Sequence, residues 1–293
     1  MTSHDVVALV RRVTSIKRVG HTGTLDPAAA GVLPVCIGHA TRLVEYLQAG
    51  SKEYVAEATF GYETDTLDAV GQVVREADAS QVTLESLRWA LDAFRGTIRQ
   101  TPPLYSAIKQ GGQKLYEIAR AGAEVDEASL QAREVTIDRL LVSRFVAATD
   151  AARPRAMLHV TCSGGTYIRS LVRDFGRALG CGATMTFLVR TRSGAFLLQE
   201  AATLEQIQTD VNANLLPLSD ALRLCADSVV IDDQAAHHLA QGRTTTSSQA
   251  QGDGVDGSRV LFLNTAGTVA ALATPMPSSP AICYKAEKVF YLD

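Results

Sequence analysis

The stretch GHTGTLDPAAAGVLPVCIGHATRL, from Gly20 to Leu43, constrains this chain more than any other. It sets a single carboxylate, Asp26, between a glycine-rich turn and a proline. Gly20 and Gly23 can take positive φ, and Pro27 fixes the backbone directly after the acid. The small residues that follow, Ala28 to Gly31, let another backbone approach closely. An aspartate in a turn ordinarily caps a helix or closes an Asx-turn, so Asp26-Pro27 alone would carry no functional weight. It is the whole string around Asp26 that does.

The length of 293 residues suits one large domain and a small one, and a hydrophobic content of 46% is ordinary for a globular chain. There is no apolar run of bilayer-spanning length and no signal-peptide pattern at the start, so a membrane role is not expected. Cys36, Cys162, Cys181, Cys225 and Cys283 are scattered, odd in number and free of CxxC spacing. That argues against a disulfide scaffold or a zinc site and predicts a reducing, cytoplasmic setting. The net charge of −3 does not favour a polyanionic partner, but its distribution is uneven. Arg95, Arg99, Lys109, Lys114 and Arg120 form one basic zone. Arg153, Arg155, Arg169, Arg173, Arg177, Arg190 and Arg192 form a second, while the acids gather in Glu53, Glu57, Glu63, Asp65, Asp68, Glu76 and Asp78. Two basic zones predict a groove that tracks phosphates.

Helical spacing of Val6, Leu9, Val10 and Val13 after Ser3 predicts a first, Ser3-capped helix. The alternation in EYVAEATF, Glu53 to Phe60, predicts a half-buried strand. Thr83 is placed to cap a helix with Leu84, Leu87, Leu91 and Phe94 inward, ended by Gly96. The prolines and Gly-Gly break of TPPLYSAIKQGGQKLYEIARAG, Thr101 to Gly122, predict an excursion from the core. Strands are expected around Val135–Ile137 and Met157–Cys162. The turn Ser163-Gly164-Gly165 should then lead into a helix with Ile168, Leu171, Val172, Phe175 and Leu179 inward, ended by Gly180 and Gly182. Strands outnumber helices without alternating with them, which predicts an α+β fold with a largely antiparallel sheet. A boundary near Leu216–Cys225 divides a domain of residues 1–222 from one of 223–293. In the latter, strands are expected at Ser228–Ile231, Arg259–Asn264 and Thr268–Ala273, with a helix after Asp232. A long loop is expected from Gly242 to Gly257.

The Gly20–Leu43 string closely resembles the catalytic motif of the TruB family of tRNA pseudouridine synthases, which isomerise uridine 55 in the TΨC loop. CSGGTYIRS (Cys162 to Ser170), KEYVAEATFG (Lys52 to Gly61) and TFLVRTRSGAF (Thr186 to Phe196) resemble further motifs of that family. The resemblance runs from Thr2 to about Asp220. Family members carry a strand and a Lys-Pro-x-Gly turn before the Thr-Ser pair seen here as Thr2-Ser3, and often an internal methionine where Met1 stands. The resemblance implies a pseudouridine synthase fold, a thumb-like insertion at about 101–130 and a small PUA-like C-terminal β module.

It also implies site roles. The reaction breaks the bond from ribose C1′ to uracil N1, turns the base and rejoins it through C5. It needs a carboxylate, a pocket for the flipped-out base and a group to remove the C5 proton, but no metal or redox cofactor. Asp26 is the implied catalytic residue, whether it adds to C1′ or to the uracil ring. Arg169 is its implied ion-pair partner and Tyr167 a pocket tyrosine. Tyr54 would stack on the base and is a candidate for taking the C5 proton, although a phenol pKa of about 10 must be tuned for that. His21 is implied in flipping the nucleotide, and Leu188 in packing under it. Arg169, Arg173 and Arg177 at i, i+4 and i+8 would form one basic helix edge, and the amides after Gly164-Gly165 could bind phosphate. Lys109, Lys114 and Arg120 would contact the tRNA backbone.

A tRNA pseudouridine-55 synthase acting alone, as a monomer with no obligatory protein partner, is therefore the expected function. A guide-RNA-directed synthase of the same superfamily is one alternative, and a tRNA-binding or folding protein with reduced catalysis is another. Hydrolysis by paired acids would need a second placed carboxylate, which the motifs do not contain.

Overall fold

Alternation in KEYVAEATF turns Tyr54, Ala56, Ala58 and Phe60 to one face, and its alanines leave room for other elements to pack there. The computed structural model describes residues 1–106, 109–110, 113–115, 130–246, 250–251, 259–276 and 283–292. In it, Lys52–Phe60 is a strand inside a seven-stranded sheet, with Ala56, Ala58 and Phe60 fully buried. Its neighbours, Arg155–Cys162 and Ala183–Ser193, both run antiparallel to it. The sheet continues through Arg133–Val146 to Gly96–Gln100 at one edge and ends on Phe196–Leu197 at the other. Ala30–Gly31 joins it as a parallel neighbour of Ala183–Ser193.

The helices Leu84–Leu91 and Ile168–Ala178 pack on the apolar face. Thr83 caps the first through a reciprocal pair of hydrogen bonds with Ser86, as its position predicts. Ile168, Leu171, Val172 and Phe175 are buried, and Phe175 meets Phe60 and Phe94 edge-on at 5.9 and 5.7 Å. Gly176 lets the helix lie against the next strand, because a Cβ there would come within 2.3 Å of the Ala183 nitrogen. The helix is thereby seated firmly on the sheet.

The chain divides into two compact units. The sheet and its helices belong to one, made of Met1–Ser3, Thr24–Leu33 and Ala49–Ala201. The other comprises His4–Gly23, Pro34–Gln48 and Ala202–Asp293. Within the second unit, Val7, Leu9 and Val10 of the helix Ser3–Thr14 are buried beside Val19. Val6, expected in that stripe, is only half-buried. A six-stranded sheet runs in the order Thr244–Thr246, Cys283–Tyr291, Val269–Met276, Val260–Asn264, Asp227–Ile231, Ala250–Gln251. The helix Asp233–Ala240 packs on it, capped by the Asp232 carboxylate, which accepts from the Ala235 amide at 2.7 Å. The expected long loop Gly242–Gly257 thus contains two short strands. Thr244–Thr246 pairs with Cys283–Lys285, a partner distant in sequence that local composition could not reveal. No helix among the described residues is long and apolar enough to cross a membrane.

The fold corrects the expected phosphate groove along the second basic zone. Because Lys52–Phe60 lies between Arg155–Cys162 and Ala183–Ser193, the acidic segment comes to rest among the arginines. Arg153 pairs with Glu76 at 2.5 Å, Arg155 with Glu57 at 3.9 Å and Arg192 with Glu53 at 3.4 Å. Glu63, only 3% exposed, accepts from Arg177 at 2.6 Å and Arg75 at 3.1 Å. Burial alone would raise the Glu63 pKa, but the two guanidiniums outweigh it and hold the carboxyl below its ordinary value of 4.5. A depressed carboxyl pKa contributes stability above the unfolded-state value and loses it as pH falls through the folded one. Glu63→Gln should therefore destabilise the protein at neutral pH, and its deficit against wild type should close below about pH 4.5 in urea titrations across pH.

Candidate active site

Asp26 sits on a loop tied down at both ends. The Asp26 carbonyl accepts from the Ala29 amide at 2.9 Å, closing a turn across Pro27. Ser3, expected as a helix cap, fastens this loop instead. Its hydroxyl accepts from the Leu25 amide at 2.8 Å and lies 3.2 Å from the Leu25 carbonyl. Beyond the turn, Ala30 and Gly31 run beside Val189 and Arg190, and the Val32 amide donates to the Arg190 carbonyl at 2.9 Å. Gly31 has φ +115°, and a Cβ on it would stand 2.2 Å from the Arg190 carbonyl oxygen. The close approach expected of the small residues is realised there, and only glycine permits it.

The helix Ile168–Ala178 brings Arg169 to this loop. Its Nε donates to Asp26 Oδ2 at 2.9 Å and its Nη2 to Asp26 Oδ1 at 2.8 Å, a two-pronged contact. Nη1 and Nη2 also donate to the carbonyls of Thr66 and Tyr105, at 2.9 and 3.0 Å. The Arg169 side chain is 6% exposed, whereas that of Asp26 is 28% exposed. The guanidinium is thus consumed by the protein, while the carboxylate keeps an open side for a substrate. The Thr66 carbonyl is presented by a tight loop in which Leu67 takes φ +63°, a left-handed conformation that costs free energy outside glycine.

Tyr167 sits at the start of the same helix. Gln100, 2% exposed, clamps it with a pair of bonds: the Tyr167 amide donates to Oε1 at 2.8 Å and Nε2 donates to the Tyr167 carbonyl at 3.0 Å. Burial raises the pKa of the Tyr167 phenol, and the Asp26 carboxylate acts in the same direction. Tyr54 is packed against the core, and burial raises its pKa too, with the cation of Arg190 opposing and Asp26 adding to the rise. Leu188, 5% exposed, is paired with Ala56 as Arg190 is with Tyr54, on the same face of the sheet.

The remaining expected contacts fare differently. Arg173 is 3% exposed, donates to Asp174 at 2.8 Å and lies 3.4 Å from the Thr101 carbonyl, so it is a buried tie and not part of a basic edge. Arg177 is committed to Glu63. Amphipathic spacing put the three arginines on one side of the helix, but Arg169 and Arg173 are buried, and of the three only Arg177 stays exposed. His21 lies in the strand Val19–His21 of the other unit, its Nδ1 accepting from the Gly23 amide at 3.2 Å. Lys109 and Lys114 are backbone register partners in a short antiparallel strand pair, and Arg120 lies outside the described residues. Sequence reasoning placed Arg190 among surface bases and missed Gln100 and Lys52. Lys52 is 5% exposed, and burial followed by the Arg190 cation lowers its pKa. A charged residue inside the apolar run TFLVRTR was the available signal for Arg190. Among the described residues no group of His, Cys, Asp and Glu is placed to hold a metal.

The arrangement is one partly exposed carboxylate held by a buried arginine, on an α+β fold. Residues 11–168 match the TruB family pseudouridylate synthase N-terminal domain, and residues 169–223 match the tRNA pseudouridylate synthase B C-terminal domain. The chain belongs to the TruB family of pseudouridylate synthases. A protein of Symbiobacterium thermophilum named tRNA pseudouridine synthase B is 53% identical over 222 residues, 76% of this chain and 72% of that one. One of the same name from Moorella thermoacetica is 51% identical over 246 residues, 83% of this chain and 79% of its own. Among solved structures, a Cbf5-Nop10-Gar1 complex matches with TM-score 0.71 at 27% identity, over 100% of this chain and 82% of that one. An H/ACA RNP bound to a substrate RNA containing 2′-deoxyuridine matches with TM-score 0.70 at 25% identity, over 99% and 81%. The fold is that of the pseudouridine synthases, with the expected mostly antiparallel central sheet and small C-terminal β module.

The two-pronged contact makes a direct expectation. Lysine would keep the charge at position 169 but could not serve both Asp26 oxygens and two carbonyls from one point. Arg169→Lys should lower turnover roughly 100-fold or more while the protein stays folded, as read by single-turnover kinetics beside circular dichroism.

Proposed function

We propose that this protein is a tRNA pseudouridine synthase, an isomerase that converts uridine 55 of the TΨC loop with Asp26 as the catalytic carboxylate. The observation that carries this reading is the Asp26–Arg169 pair. Its members come from two family-like motifs 143 residues apart, and it leaves the acid the more open partner. In the proposed reaction the target uridine flips out of the loop, and its ring is received over Leu188 and against Tyr54. Asp26, held by Arg169, then attacks the nucleoside so that the C1′–N1 bond breaks. The detached uracil turns in the pocket and rejoins through C5, which frees the Asp26 carboxylate. The C5 proton is then lost and N1 gains one, so the step is a net isomerisation. The raised pKa of Tyr54 supports stacking by a neutral phenol over proton abstraction.

No metal or cofactor is needed for these steps, and the protein is proposed to act alone in the cytoplasm as a monomer. The relatives named tRNA pseudouridine synthase B are 51–53% identical, against 25–27% for the two ribonucleoprotein-related structures, which favours tRNA over a guide-directed substrate. Lys109 and Lys114, on the hairpin of the thumb-like insertion, are proposed to contact the tRNA backbone, with Arg120 beyond them.

Asp26→Asn should lower pseudouridine formation by at least about 10,000-fold, because an amide cannot act as the nucleophile. Binding of tRNA should stay within about threefold, since affinity comes from dispersed backbone contacts. Mass spectrometry of the modified base beside filter binding checks both. Measurable turnover by the pure variant would remove Asp26 from its role, whereas lost catalysis in wild type with intact binding would favour the tRNA-folding alternative. Replacing Lys109 and Lys114 together by alanine should weaken tRNA binding and reduce the slope of log affinity against log salt by about one per lysine. An unchanged slope would show that the pair lies in solvent.

A further inference from the structure

Arg190 is 2% exposed, which is unusual for an arginine. Its side chain and its backbone both grip the Asp26 loop. Nε donates to the Val32 carbonyl at 2.7 Å, beyond Asp26, and Nη1 lies 3.4 Å from the Thr24 carbonyl, before it. The Arg190 carbonyl receives the Val32 amide at 2.9 Å, and Gly31 passes so close that no side chain fits between. Arg190 stands directly across the sheet from Tyr54. One buried side chain therefore touches the loop on both flanks of the acid, on the strand position that faces a tyrosine of the site.

We infer that Arg190 is a positioning residue that clamps the Asp26 loop at Thr24 and Val32, beside Tyr54 on the neighbouring strand. The inference rests on the proposed role of Asp26. Desolvating a guanidinium is costly unless its donors are met by acceptors, and here the Val32 and Thr24 carbonyls serve as acceptors. Packing alone would be served by leucine or methionine on this strand. A guanidinium adds fixed, divergent donors that hold two backbone points at a set separation, which a lysine ammonium cannot do. The charged and titratable groups facing Tyr54 are Arg190, Cys162 and Asp26, and those facing Lys52 are Arg190 and Cys162. Arg190 and Cys162 are common to both sets, and Arg190 is the cation of the two.

The test compares wild type, Arg190→Lys, Tyr54→Phe and the double variant. Single-turnover pseudouridine formation, tRNA affinity, thermal unfolding and amide hydrogen exchange are measured. For Arg190→Lys, single turnover should fall roughly 100-fold with tRNA affinity within about threefold, since a small misplacement of a reacting group is that costly. Exchange at the Ala29 and Val32 amides should rise, and Tyr54→Phe should cost less in the Arg190→Lys background than in wild type, because the two side chains act together. Unchanged exchange at Ala29 and Val32 would overturn the clamp, as would an activity loss no larger than the loss of folded protein. Should the lysine variant not fold, Arg190→Gln, which keeps one donor, is read by the same criteria. A wild type that makes no pseudouridine at uridine 55, with loop exchange still rising in the variant, would remove the proposed function and leave the clamp standing. An active wild type with no change in exchange or turnover would do the reverse.

Discussion

A guanidinium almost sealed from water, facing a carboxylate that is not, is the interaction on which the rest of this catalytic unit depends. Burying Arg169 would be prohibitive without compensation, and its donors are met by Asp26, Thr66 and Tyr105. Each acceptor comes from a different part of the chain, so the pair exists only if the Asp26 loop, the Thr66 loop and the segment leading to Tyr105 all converge on one helix. The positive φ of Leu67, the Gln100 clamp on Tyr167 and the missing Cβ at Gly31 are local costs and concessions that make this convergence possible.

The same economy governs charge elsewhere in the unit. A chain with acids in one stretch and arginines in another can spend them on a polyanion or on each other. Here the order of strands decides: Lys52–Phe60 sits between the two arginine-bearing strands, and Glu53, Glu57, Glu63 and Glu76 are taken up internally. The cations proposed for RNA, Lys109 and Lys114, lie outside this set of pairs. This is how a protein with a net charge of −3 can be both internally neutralised and suited to a phosphate backbone.

What was legible in the sequence was whatever local chemistry dictates. The alternation of Lys52–Phe60, the Thr83 cap, the apolar stripe of Ile168 to Phe175 and the demand for small residues after Asp26 all follow from short-range rules of pleat, helix period and sterics. The Asp26–Arg169 pairing was legible only through the resemblance of two motifs, since nothing in the spacing of residues so far apart specifies contact. Ser3 shows the limit well: a serine at a helix start reads as a cap, yet its hydroxyl meets the Leu25 backbone.

Tertiary structure alone decided which charges are surface and which are interior. Arg173 and Arg190 look like solvated bases in sequence and are among the most buried side chains of the unit. The reason is physical. An arginine is tolerated inside only where several acceptors from distant segments are gathered around it, and that gathering is a property of the assembled sheet, the helix and the loops between them, not of any window of sequence. The sequence by itself determined the locally encoded elements and the family, and singled out Asp26 only through a resemblance. The fold determined what holds Asp26, and that the buried Arg173 and Arg190 serve the protein's own architecture.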